Sequence, residues 1–139
     1  MLTKLGCSTL LKAFQGLNPG PLYLALVSGL PAADPDMTSF DEPSIGVNGY
    51  NRILLDDNLT DWPTLSELNN EQFLESRQVT WTATGAGFIQ PVTRVILVNH
   101  ETALTGKIIL GVGAAFPELV IGPSTPSIDR SFKFRIYLR

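Results

Sequence analysis

This chain has one cysteine, Cys7, and one histidine, His100, among its 139 residues. A single cysteine excludes an intrachain disulfide and leaves too few thiolates for a cysteine-built metal site, so Cys7 is expected as a small buried hydrophobe. His100 stands in a turn-like stretch, residues 98–102, with nothing paired to it in sequence, and reads as a surface residue rather than a base or ligand. Charge is also scarce. Only 17% of residues are charged and 44% are hydrophobic, against roughly 25% charged in ordinary soluble domains; a disordered chain would show the reverse balance. No apolar run approaches the roughly 20 residues of a membrane span, and residues 1–11 lack the apolar core and small-residue cleavage site of a signal peptide. Synthesis in the cytoplasm without export, and no membrane partner, are the expectations. Catalytic signatures are missing too. There is no Gly-x-Ser-x-Gly elbow, and Gly111-Val-Gly113 lacks the third glycine and following helix of a phosphate loop. Enzymatic activity and cofactors are not expected.

The charges that are present are unevenly placed. Ten of the thirteen carboxylates lie between Asp34 and Glu75, where Arg52 is the only basic residue, and the remainder holds nine basic and three acidic residues. Two opposed electrostatic faces favour docking between copies or onto a complementary partner, with solvated acidic loops as the alternative. Nucleic acid is not an expected partner, because Arg130, Lys133, Arg135 and Arg139 alternate with the apolar residues of a strand in a protein of net charge −3.

Periodicity places one helix and several strands. Leu2, Leu5, Leu10, Leu11 and Phe14 recur near helical spacing over residues 2–15, with Ser8 or Thr9 able to cap a start and Gly6 weakening the first half. The Gly- and Pro-rich residues 16–21 end that helix. The continuous apolar run 22–27 reads as a strand covered on both faces. Residues 28–46 form a long loop with Pro31, Pro35 and Pro43 among Asp34, Asp36, Asp41 and Glu42, a length that suggests binding. Strands are expected at 50–55, at 79–83 where Val79, Trp81 and Ala83 alternate with polar residues, at 92–98 with Arg94 exposed, at 107–112, briefly at 119–121, and at 131–139 where Phe132, Phe134, Ile136 and Leu138 alternate with polar residues and Tyr137. Residues 122–126 read as a rigid turn. Residues 59–77 are ambiguous: Thr64-x-x-Glu67 fits a capping box before a short helix, and a loop fits equally well. Six to eight strands and one short N-terminal helix define a mainly β chain, an antiparallel sandwich or barrel-like fold, with residues 1–20 as an arm and 21–139 as the β-domain.

Paired carboxylates occur at Asp34/Asp36, Asp41/Glu42 and Asp56/Asp57. Loop acids of this kind rarely form the rigid, split-pKa pair that glycoside hydrolysis needs. They have the oxygens for calcium but no EF-hand spacing, and solvated loop acids are the simpler reading. Aromatic stacking on sugars is a further alternative, although Trp81 sits on the apolar face of its strand.

The order of motifs resembles a family of small tailed-phage virion proteins. A short N-terminal helix precedes Leu22-Tyr-Leu-Ala-Leu26; an acidic loop follows; then Val47-Asn-Gly-Tyr-Asn-Arg52 leads into a second strand, and Val79-Thr-Trp-Thr-Ala83 is similar to that family's Val-x-Phe-x-Ala strand. Residues 57–77 form a longer insertion than the pattern has, and Asn48 stands where a small residue is common. The resemblance implies a virion structural protein: a capsid decoration (cement) protein bound between major capsid subunits, a homo-oligomer with a trimer favoured, or alternatively a tail fibre, knob or baseplate component. A carbohydrate- or calcium-binding sandwich is the alternative from another class. The residues expected to make contacts are Leu2, Leu5, Leu10, Leu11 and Phe14 on the helix and Asp34, Asp36, Asp41 and Glu42 in the loop.

Overall fold

The structure is a computed structural model and describes residues 1–18, 20–122 and 129–137. It is mainly β, with a short helix α1 (Lys4–Phe14) and nine strand segments: β1 (Leu22–Val27), β2 (Ile53–Leu55), β3 (Thr64–Leu68), β4 (Glu71–Glu75), β5 (Val79–Thr82), β6 (Arg94–Val98), β7 (Ile109–Val112), β8 (Asp129–Phe132) and β9 (Arg135–Tyr137). All pairings are antiparallel. One sheet runs β2-β1-β6-β7. The other is a long ribbon in two ladders, β3-β4-β9 and β5-β8. Between the ladders, residues 76–78 stand opposite residues 133 and 134, and the Ser76 amide donates to the Phe134 carbonyl at 2.8 Å. The extra residue is a β-bulge that bends the ribbon without ending it. The expected single strand at 131–139 is therefore broken at Lys133-Phe134, and its last two residues, 138 and 139, lie outside the described residues, as do 123–126 of the expected turn at 122–126.

The two faces of the first sheet explain its unbroken apolar runs. Leu24, Leu26, Val95, Leu97 and Leu110 face the second sheet, where Tyr50, Trp62, Val79, Trp81, Phe88 and Phe134 complete the main core. Ala25, Val27, Ile96, Val98, Ile109 and Val112 face the other way, onto Met37 and Phe40. These two come from the long loop, which folds back over the sheet through a 3-10 turn (Met37–Ser39). A loop that covers a sheet face supplies apolar side chains as well as the polar groups that end its own backbone bonds.

Three expectations are corrected. Thr64–Leu68 is strand β3, hairpinned to β4 through Asn69 and Asn70, both at left-handed φ (52° and 62°); two residues that tolerate this conformation make the tight turn favoured between antiparallel strands and override the capping-box pattern. The helix is capped by Thr3, whose hydroxyl accepts from the Gly6 amide at 3.0 Å, and not by Ser8 or Thr9. Cys7 is exposed rather than buried.

Candidate contact surfaces

The N-terminal segment is part of the sheet before it is a helix. The Met1 carbonyl accepts from Val112 at 2.7 Å, Leu2 bridges Gly111, and the Thr3 amide donates to Leu110 at 3.0 Å, so residues 1–3 cover the outer edge of β7. The buried Thr3 hydroxyl also donates to the Ile109 carbonyl. Gly6 then rests directly on the strand: a Cβ at this position would lie 1.9 Å from the Leu110 carbonyl oxygen. Glycine is required here by close approach, which outweighs its poor helix propensity. Of the helix residues expected to make contacts, Leu2 and Leu5 are half-buried against their own chain, and Leu5 packs on the main core. Leu10 is half-buried. Beyond it the helix leaves the body: residues 11–18 are exposed throughout, with Leu11 65%, Phe14 90% and Leu17 55% accessible. Leu17 belongs to this apolar stripe, although it falls after the helix pattern proper and was not expected there.

The acidic loop is built inward. Asp34 accepts Lys107 Nζ on its carboxylate at 3.1 Å and on its carbonyl at 2.7 Å. Asp36 caps the 3-10 turn through the Thr38 amide, and the Thr38 hydroxyl and amide hold its carboxyl below the usual carboxylate range. Asp41 ties the loop base to Ser28 by a reciprocal pair of backbone bonds at 2.8 and 3.0 Å and is exposed. Glu42 corrects the expectation of a contact residue. Its side chain is 4% exposed and its two oxygens receive Arg52 Nε (2.9 Å) and Arg52 Nη2 (2.7 Å). The fully buried Arg52 guanidinium also donates to the carbonyls of His100 and Ala103, both at 2.7 Å, and the Tyr50 hydroxyl donates to Glu42 Oε1 at 2.7 Å while accepting the Leu26 amide at 3.0 Å. A bidentate, fully bonded pair is the arrangement that lets two charges stay inside. Burial, and then the Glu42 charge, push the Tyr50 hydroxyl well above the ordinary tyrosine value. Gly-Tyr-x-Arg is therefore a structural clasp joining the long loop, β1 and the 100–103 turn.

One pocket, of about 300 Å³, opens between the 44–47 and 88–91 loops and is lined by Ser44, Val47, Phe88, Ile89, Gln90 and Pro91. Ile89 has φ +66° and is 71% exposed. A β-branched residue in that region is an outlier, and its side chain makes the pocket rim. Glycines at 46, 49, 85 and 87, all at positive φ, mark these loops in the sequence, but nothing there marks Ile89. Among the described residues no three His, Cys, Asp or Glu side chains gather as a metal site, and no helix is long and apolar enough to cross a membrane.

By class, the described residues form a two-sheet antiparallel β-sandwich with one N-terminal helix. No protein-family model, curated protein or solved structure matches it.

Proposed function

We propose that this chain is a structural protein of a tailed-phage virion and that it serves as a capsid decoration (cement) protein seated between major capsid subunits. The observation that carries this reading is the helix end: Leu11, Phe14 and Leu17 stand exposed on a segment whose other half is bonded firmly to a β-body. Apolar surface presented this way is satisfied in an assembly. The order of the Leu22-Tyr-Leu-Ala-Leu26 and Gly49-Tyr-Asn-Arg52 motifs supports the same reading through their resemblance to small virion proteins. The buried Glu42–Arg52 clasp and the capped Asp36 suit a scaffold that holds its shape while its surface docks. The function is architectural, and its partners are other virion proteins and further copies of the chain.

Gradient-banded particles probed for this protein test the proposal. Hundreds of copies per particle are expected for a decoration protein. Tens or fewer would move the chain to the tail, as a fibre, knob or baseplate component, and absence from the particles would overturn the virion reading.

A further inference from the structure

We propose that copies of this chain associate head to tail, with Phe14 of one copy, flanked by Leu11 and Leu17, seated in the pocket between Val47 and Ile89 of the next. This deepens the assembly reading by naming the contact, and it rests on that reading only for its setting.

Four observations carry it. The first is size and chemistry. An apolar cavity of about 150 Å³ accepts a benzene ring, so a pocket of about 300 Å³ walled by Val47, Phe88, Ile89 and Pro91 has room for a phenyl ring and part of a leucine. The second is placement. Residues 1–3 run along β7 toward the end of the sheet where β1 begins at Leu22, whereas the pocket loops lie at the other end, where Val27 accepts the Thr93 amide and Val92 bridges Leu119. Phe14, 90% exposed, is not seated in its own chain. The third is strain. Ile89 holds an unfavourable φ of +66° while leaving its side chain 71% in solvent, an arrangement that gains little in a lone molecule and forms a wall once a knob is seated. The fourth is charge. Residues 1–33 contain Lys4 and Lys12 and no carboxylate, while the segments beside the pocket present Asp41, shortly before Ser44, and Glu118, next to Leu119, both exposed. Arg94, also at that end, is turned onto the carbonyls of Gly29 (3.3 Å) and Gly113 (2.9 Å).

Knob and hole are different surfaces, so the contact is heterologous, and repeating it closes a ring or extends a filament. Three apolar side chains bury less than the roughly 1,200 Å² of a stable standard interface. A single contact is therefore weak, and a closed ring, where every copy uses both ends, is the stable form.

Sedimentation velocity over a concentration series tests this with Phe14→Glu and Val47→Glu, each checked for folding by its thermal melt; both positions are solvent-accessible and both variants should melt near the parent. The parent chain should associate reversibly and each variant should stay monomeric. An equimolar mixture of the two should form a two-chain species at the top of the concentration series and nothing larger, more weakly than the parent associates, because one intact knob meets one intact hole through a single contact. Ile89→Gly, which suits the left-handed φ and removes the wall, should weaken association by tenfold or more, and it stands in for Val47→Glu if that variant unfolds. A parent that remains monomeric, a Phe14→Glu chain that still associates, or a folded pocket variant that associates like the parent through helix–helix pairing would each overturn the proposal. None of these outcomes depends on finding the protein in particles, so a failed ring and a failed virion assignment are separately visible.

Discussion

At the scale of single residues, the same amino acid takes its meaning from what lies against it. Gly6 in a helix is ordinarily a weakness, and glycine to alanine on an exposed helix face gains about 1 kcal/mol. Here the sign reverses, because the new methyl would meet the Leu110 carbonyl at 1.9 Å. Gly6→Ala should destabilise the protein by about 2–3 kcal/mol, as overpacking against a rigid backbone does, and a denaturant titration measures it. Glu42 offers a second case. In sequence it is one more loop carboxylate; in the fold it is the counter-charge of a guanidinium with no solvent access. Glu42→Ala should cost about 3–5 kcal/mol by leaving Arg52 buried and unpaired. Replacing both, as Glu42→Leu with Arg52→Met, should cost clearly less than Glu42→Ala alone, and a double-mutant cycle reads the difference. Nothing in a run of Asp, Glu and Pro distinguishes Glu42 from Asp41, since the distinction depends on a partner ten residues away and on carbonyls near position 100.

Secondary elements were legible where one physical signal dominated. The apolar run of β1 announces a strand covered on both faces, the β-branched run of β6 announces a strand with Arg94 exposed, and the period-two pattern around Trp81 announces a half-buried one; all three strands are seen, with Arg94 half-buried rather than exposed. Elements that depend on distant partners were not. The β3–β4 hairpin has an exposed, mostly polar outer strand, so its pattern carries no periodicity, and its turn rests on two asparagines that fit a loop equally well. The pocket was invisible for a related reason, being assembled from two loops some forty residues apart with its strained Ile89 unannounced. The candidate contact surface is half legible: spacing marks the apolar helix stripe, while its division into a docked half and a free half is set by β7. That division gives a prediction at this scale. Thr3 caps α1, donates to Ile109 and holds the turn from strand to helix. Thr3→Ala should cost about 1–2 kcal/mol, the usual worth of a strong cap. The loss should also be local, with amides of residues 4–14 exchanging hydrogen faster while β1 and β6 keep the protection of the global fold.

For the molecule as a whole, ionisation ties the two sheets to a range of pH. On the ribbon, the Arg135 guanidinium holds the Glu75 carboxyl below its ordinary value of 4.5, with Lys133 assisting at 3.5 Å. At Asp61 burial is the largest single effect and acts upward, but the bonds and charge of Arg77, with the Asp56 amide, together outweigh it and hold the carboxyl below 3.8. Both groups are depressed in the folded state. Their stabilisation is therefore complete above the ordinary carboxylate values and is lost as pH falls below about 4.5 toward the folded values, since the unfolded chain takes up protons first. At the loop clasp the sign is opposite. Tyr50 is raised well above 10.0 by burial and the Glu42 charge, so its contribution is complete below pH 10 and is lost as pH rises past it, where unfolded tyrosine ionises and the buried one does not. Stability should thus form a plateau bounded by carboxylates of the ribbon on the acid side and by the clasp on the alkaline side. Thermal melts across pH check both limbs. Glu75→Gln should lower the plateau and flatten the acid limb only. Tyr50→Phe should lower it by about 1–3 kcal/mol, because the Leu26 amide loses its partner, and should flatten the alkaline limb only. If each substitution altered both limbs alike, the two sheets would not titrate as separate sites, and the assignment of one limb to each would fail.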